Sequence, residues 1–201
     1  MRISQGGNNM AIIQSSSDLR YDEEDIWTYQ DYLELPSDGK IYEIIGGKLF
    51  MTPAPTPKHQ KISRNIEILM WDYVRKNKLG EVYYAPIDVT FDELNTVQPD
   101  LIYISRERSH IIKEKGILGA PDLIVEILSP YSISTDVKRK KQIYERFAVK
   151  EYWIVFTDEK KVEIYIMQGG KYELKGIYLG QDIIESWQIE DLKIPLEEIF
   201  E

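Results

Sequence analysis

The stretch "GAPDLIVEILSP" at 119–130 sets a carboxylate, Glu126, inside an apolar run from Leu123 to Leu128. A continuous apolar run, bounded here by Ala-Pro-Asp and Ser-Pro, is the pattern of a sheet interior. A carboxylate taken out of water is costly unless it is paired or bound to a cation. One reading gives Glu126 an Arg or Lys partner, or a solvent-facing edge of the sheet. The other gives it a metal ion. Asp100, in "VQPDLIYIS", stands at the entrance of another apolar strand, where Pro99 restricts the backbone. Neighbouring strands can bring Asp100 and Glu126 together, and a divalent cation relieves the repulsion of two close carboxylates. Oxygen donors of this kind suit Mg²⁺, which keeps several waters and takes one or two protein carboxylates. Asp122 lies four residues before Glu126. It shares that strand face at a distance of about 13 Å and reads as a strand-start or turn residue.

A basic side chain enters from the segment "DVKRKKQIYERF", 136–147. Asp136, Lys140, Tyr144 and Phe147 fall on one face of a helix. Ile143, Tyr144 and Phe147 should turn inward, which selects Lys140 from the basic run at 138–141. Lys141 lies at the edge of that face, and Lys138 and Arg139 point more toward solvent. Glu43, in "IYEIIGG", is flanked by apolar residues, and strand alternation turns it outward with Tyr42 and Ile44 inward. His59 follows Pro57 in the first turn of a helix. It reads as a surface or capping residue, or as a donor to an anion at the helix N-terminus. Lys58 and Lys61 flank it as candidate phosphate-binding residues. His110 has no supporting context, and with only two histidines a multi-histidine zinc site is nearly excluded.

The elements that must position these residues can be read from pattern. "DEEDIWTYQDYLELP" (22–36) reads as a short helix after an acidic turn, stopped by Pro36. "KIYEIIGGKLFMT" (40–52) reads as a β-hairpin turning at Gly46-Gly47. "PAPTP" is a stiff connector. In 56–80 Thr56 is the expected N-cap, Pro57 the first helical residue and Gly80 the stop, with Ile62, Ile66, Leu69, Met70, Tyr73 and Val74 at helical spacing. Strands follow at "EVYYAP", "IDVTFD", "DLIYIS" and "DLIVEILS", then a helix over about 135–148. "EYWIVFT", "KVEIYIM" and "KYELKGIYL" form a meander, and a strand near 183–186 and a "PLEEIF" helix complete the pattern. Tyr152, Trp153, Ile154, Tyr165, Ile166 and Tyr172 in this meander read as core packing or as a dimer surface. The order predicts a mixed α/β (α+β) sheet rather than a regular βαβ alternation.

The 201 residues suit one domain, expected over 21–201 behind a disordered lead-in at 1–20. No cysteine is present, so disulfides and thiolate metal sites are excluded. No apolar stretch approaches the ~18 residues that span a membrane, and a cytoplasmic location is expected. The net charge of −9 speaks against a generally basic nucleic-acid surface. A local basic cleft can still be masked in the sum.

The motifs "YEIIGGKLFMTPAPTPKHQKI", "VQPDLIYIS", "GAPDLIVEILSP", the D-x-x-x-K-x-x-x-Y run at 136–144 and "VKEYWIVF" resemble, in order and spacing, the Uma2 family. The resemblance covers roughly residues 22–200 and implies a restriction-endonuclease-like fold similar to PD-(D/E)xK nucleases. It implies that Asp100 and Glu126 bind Mg²⁺, with Mn²⁺ as a substitute, and that a lysine polarises or orients the attacking water. The usual position for that lysine, two residues after the Glu, is Leu128 here. The resemblance places it on the following helix, at Lys140, and marks Glu43 as an auxiliary acidic residue.

The expected function is a Mg²⁺-dependent endonuclease acting on nucleic acid, DNA foremost, as a homodimer. Lys58, Lys61, Arg64 and the 138–141 run are the expected contacts. The alternative is a catalytically inactive binding or assembly protein on the same scaffold, since fold does not fix function. A glycosidase pair of carboxylates ranks last, because it leaves Lys140 unused.

Overall fold

The computed structural model describes residues 26–36, 38–52, 54–128 and 134–201, and of 134–136 the backbone alone. The expected lead-in at 1–20 lies outside these residues. The described chain opens with α1 (Tyr29–Tyr32), the hairpin β1 (Ile41–Ile45) and β2 (Lys48–Thr52), and the long helix α2 (Pro57–Asn77). Strands β3 (Gly80–Tyr84), β4 (Val89–Asp92), β5 (Asn95–Val97) and β6 (Leu101–Ser105) follow, then a 3₁₀ turn over Arg106–Ile111. Next come β7 (Ile112–Lys113), β8 (Gly116–Leu118), β9 (Leu123–Leu128), α3 (Ser134–Arg146) and β10 (Glu151–Phe156). The chain closes with β11 (Lys161–Gln168), β12 (Lys171–Leu179), β13 (Ile183–Glu185), β14 (Lys193–Pro195) and α4 (Leu196–Phe200).

The all-apolar strands go to the middle of the central sheet, whose order is β12-β11-β10-β9-β6-β3. Of its pairings, β9 with β10 alone is parallel. A parallel pair needs a crossover, and α3 supplies it. On one face of this sheet Ile62, Ile66, Met70 and Val74 of α2 pack against Leu101, Tyr103, Leu123 and Val125. On the other, Ile143 and Tyr144 of α3 and Ile45, Val89 and Val97 pack against Ile102, Ile104 and Ile124. Ile45, Val89 and Val97 come from a second sheet, β2-β1-β5-β4-β8-β7. Glu126 shares the parity of Ile124 and therefore faces α3 and the second sheet. The α+β architecture and the C-terminal antiparallel strands agree with the pattern reading, and Tyr152, Trp153, Ile154 and Ile166 are core.

Three local readings are corrected. The first helix is a single turn, started by a capping box between Thr28 and Asp31 and over before Pro36. The long helix is closed by Lys78 in the left-handed region, not by Gly80. Gly80 instead begins β3 opposite Ser105, where a Cβ would stand 2.1 Å from the Ile104 carbonyl oxygen. Glu43 does not face solvent and is 1% exposed. The outward reading assumed a half-exposed hairpin, but β1 is an inner strand between β2 and β5, and α3 packs over it.

Asp122 is structural, as its position suggested. It is buried and accepts from the Ser105 backbone N–H at 2.8 Å, Lys150 at 2.7 Å and Arg108 at 3.3 Å. Burial opposes its charge, but Lys150 and the Ser105 amide outweigh that, so its pKa lies below the usual carboxylate value. Asp122→Asn should therefore lower stability by about 1–3 kcal/mol at pH 7 in urea denaturation. A depressed folded-state pKa means the contribution is complete above the unfolded value of about 3.9 and fades as pH falls through the lower folded value. Wild type and variant should thus converge in strong acid.

Candidate active site

β6 and β9 run antiparallel, with Leu101 opposite Val125 and Ile102 opposite Ile124. One further step of this register sets Asp100 beside Glu126. Asp100 Oδ2 accepts the Ile127 backbone N–H at 2.7 Å, which ties the carboxylate to the neighbouring strand. From the α2 side, His59 Nε2 lies 3.2 Å from Asp100. Thr56 Oγ1 accepts the His59 backbone N–H, as an N-cap should. His59 is thus neither a surface residue nor a cap, and its side chain is 12% exposed against Asp100. Burial opposes its charge, but the Asp100 hydrogen bond and charge prevail, with Glu126 adding, and its pKa is raised.

On the opposite face, Lys140 Nζ sits 2.8 Å from Glu43 Oε1 and 3.2 and 3.3 Å from the two Glu126 oxygens. All three side chains are buried. Lys141 instead lies over the Tyr165 ring, so Lys140 is the one of the two that turns inward, as helical spacing placed it. One turn after Lys140, Tyr144 donates to Glu126 Oε1 at 2.6 Å. Burial and the Glu126 charge raise the Tyr144 pKa well above the ordinary value, so it keeps its proton and remains a donor at neutral pH. Glu43 Oε1 also accepts the Gln98 backbone N–H at 2.8 Å.

The electrostatics leave a surplus of negative charge. Burial drives the Glu126 pKa up, Lys140 pulls it back, and Asp100 and Glu43 push it up again. Three carboxylates thus share one ammonium and one imidazole in a poorly solvated space. Among the described residues no three His, Asp or Glu side chains form a ready metal cage. Asp100 and Glu126 nevertheless fit a hard divalent cation, which needs only one or two carboxylates and fills its other positions with water.

Structure thus brings together Glu43, Asp100, Glu126, Lys140 and His59. Lys58 and Lys61 stand apart on the outer side of the same helix turn. Lys58 pairs with Asp158 at 2.7 Å, and Lys61 donates to the Glu201 backbone carbonyl. Tyr144 and Gln98 are contributors that sequence pattern does not assign. The i, i+4 spacing of Lys140 and Tyr144 was a usable signal for the first, whereas nothing local marks Gln98.

Residues 29–197 match the Uma2 family, described as "Putative restriction endonuclease". The chain belongs to the Uma2 family. The Uma2 fold recurs in a crystal structure from Anabaena variabilis, titled "a putative nuclease belonging to DUF820", at 22% identity and a TM-score of 0.73. The match covers 86% of this chain and 97% of that one. No curated protein matches this Uma2 chain.

The charge surplus yields a stability test. In EDTA, Glu126→Gln should be as stable as wild type or more so, to within about 1 kcal/mol, because it removes a buried like charge and keeps an oxygen for Tyr144. Lys140→Met should cost about 3 kcal/mol or more, since it leaves Glu43 and Glu126 buried without a cation. Urea midpoints of the two variants check the ordering.

Proposed function

We propose that this chain is a divalent-metal-dependent endonuclease that hydrolyses phosphodiester bonds, foremost in DNA. The observation that carries the reading is the register-set pair Asp100–Glu126 in a surplus of buried negative charge, with Lys140 against Glu126. Membership of the Uma2 family, whose description reads "Putative restriction endonuclease", supports it.

Asp100 and Glu126 would hold the ion, Mg²⁺ with Mn²⁺ as substitute. When bound, such an ion makes water a better nucleophile and neutralises charge on the phosphate. Each chain residue has a task. The Ile127 N–H and His59 fix both oxygens of Asp100 on one side of the cleft. Tyr144 holds one Glu126 oxygen by its hydrogen bond. Lys140 supplies the positive charge that balances what develops on the phosphate and orients the attacking water. Glu43 holds Lys140 in place, with its own carboxylate anchored by the Gln98 N–H. His59 in the first turn of α2 acts through Asp100, and the exposed Lys58 and Lys61 on the outer side of that turn are the contacts for a neighbouring phosphate.

Two finer parts belong to the same reading. A homodimer would present two sites to one duplex, and exposed Leu174, Ile177 and Leu179 on edge strand β12 supply apolar surface for it. Cytoplasmic residence fits substrate access, and among the described residues no helix is long and apolar enough to cross a membrane.

A second reading, a non-catalytic scaffold, is favoured by the fact that Lys140 already partners Glu126 and by the net charge of −9. Calorimetric titration separates the two. The nuclease reading expects Mn²⁺ binding that disappears in Asp100→Asn and in Glu126→Gln with the fold retained by circular dichroism. It also expects metal-dependent nicking of plasmid DNA to fall at least about 100-fold in Lys140→Met. Wild-type protein that neither binds Mn²⁺ nor cuts DNA establishes the scaffold.

A further inference from the structure

The outer face of α2 carries charge against the trend of the chain. Six cationic side chains and two carboxylates lie between Pro57 and Lys78, a net of +4 in a chain of −9. Arg64, Ile68, Trp71, Arg75 and Lys78 recur at helical spacing and are all exposed, so they form one outward stripe. Within it Ile68 is 54% and Trp71 43% exposed. The core does not call for these two apolar side chains, since it takes the opposite face through Ile62, Ile66, Met70 and Val74.

The stripe starts beside the candidate site and leads away from it. His59, which meets Asp100, precedes Arg64 by about 7.5 Å along the helix axis. From Arg64 to Lys78 is about 21 Å. At its far end the stripe borders a groove of about 450 Å³ between α2, β3 and the end of β6. Arg75, Lys78 and Arg106 line that groove against one carboxylate, Glu81. The Arg75 guanidinium lies over the Trp71 ring, 4.6 Å from its centre, and pairs with Asp72 at 3.2 Å. Among the described residues Arg64, Lys78 and Arg106 make no ion pair with a carboxylate.

We infer that this face tracks an unpaired nucleic-acid strand leading from the cut site, with Arg64, Arg75, Lys78 and Arg106 on its phosphates and Trp71 against a base. The inference rests on the nuclease reading and deepens it. A polyanion supplies the counter-charge that these cations lack, whatever its base sequence. An exposed indole among cations is the surface on which single-strand binders seat bases, because every base has a π-face. A duplex keeps those faces in its stack, so the strand that fits is unpaired. At about 3.4 Å per phosphate the stripe spans roughly six nucleotides.

The test uses the full chain in EDTA, an end-labelled thymidylate octamer and an end-labelled hairpin duplex of eight pairs. Fluorescence anisotropy over a salt series reads affinity and its salt dependence. Trp71→Ala should weaken octamer binding at least about fivefold, leave its salt slope unchanged and spare the hairpin. The triple variant Arg64→Gln, Arg75→Gln and Lys78→Gln should make the octamer slope shallower by about 2, at roughly 0.7 per phosphate contact. Lys113→Gln with Lys115→Gln, exposed on the β7–β8 hairpin, should bind as wild type does. All these positions are exposed, and circular dichroism checks that each variant keeps the fold. Absence of octamer binding by wild type overturns the inference, as does a triple variant with the wild-type slope. An equal loss in the Lys113 and Lys115 variant marks diffuse charge and overturns it too. A Trp71→Ala protein that binds the octamer normally, or weakens on the hairpin to the same extent, removes the unpaired strand. Plasmid nicking with Mg²⁺ is scored separately on wild type. Nicking without octamer binding ends this inference alone, whereas octamer binding through the stripe without nicking keeps the surface and ends the nuclease reading.

Discussion

A single buried ammonium joins the two halves of this molecule. Lys140 lies between Glu43 of the second sheet and Glu126 of the central one. Without it, two carboxylates from different sheets would confront each other in a poorly solvated interior. The helix that carries it is not an accessory. Parallel β9 and β10 need a crossover, and α3 crosses the face toward which Glu126 points. Connectivity therefore delivers the charge that the buried carboxylates require. Tyr144 adds to this from the next turn, so one helix face supplies both the cation and the hydrogen bond.

Much of this could be read along the chain, because the decisive signals are local. A Glu in an all-apolar strand is anomalous within six residues. The inward face of α3 is defined by Ile143, Tyr144 and Phe147, and that face selected Lys140 over its basic neighbours. Helix capping at Thr56 and the turn at Gly46-Gly47 follow from backbone preferences of single residues. What stayed illegible depends on distant partners. Glu43 is inward because β5, some fifty residues on, pairs with β1 and makes it an inner strand. The ring of His59 meets a carboxylate 41 positions away, and no feature of the first helical turn names that partner. Gly80 looked like a helix stop because glycine commonly is one. Its real constraint is the close approach of β6, a tertiary fact.

The lysine's placement on a helix rather than on the strand has a physical price and a physical use. Leu128, at the position two after Glu126, leaves the end of β9 apolar and partly buried. A lysine there would have run along the strand in the same sheet as both carboxylates. From α3, Lys140 reaches across to Glu43 as well, so the second sheet is bound to the site electrostatically. Gln98 strengthens that union from the other side, giving its backbone N–H to Glu43 and its side chain to Asp88 and Tyr32.

The antiparallel register of β6 on β9 has a further meaning for how the chain behaves as a folding object. Strand faces alternate with each residue, so a slip of one position would place Asp100 beside Val125 or Ile127 and send one carboxylate to the α2 side. Tyr103 apart, the apolar contacts of these strands are made by Leu, Ile and Val and discriminate weakly between registers. Polar groups break that degeneracy. The Ile127 amide held by Asp100 at one end, and the Ser105 amide held by Asp122 at the other, act as two pins that fix the alignment of the same strand pair. At Asp100 the proposed metal-binding carboxylate is also a group that sets the register, so a mispaired chain would keep most of its apolar contacts and lose the Asp100–Glu126 pair.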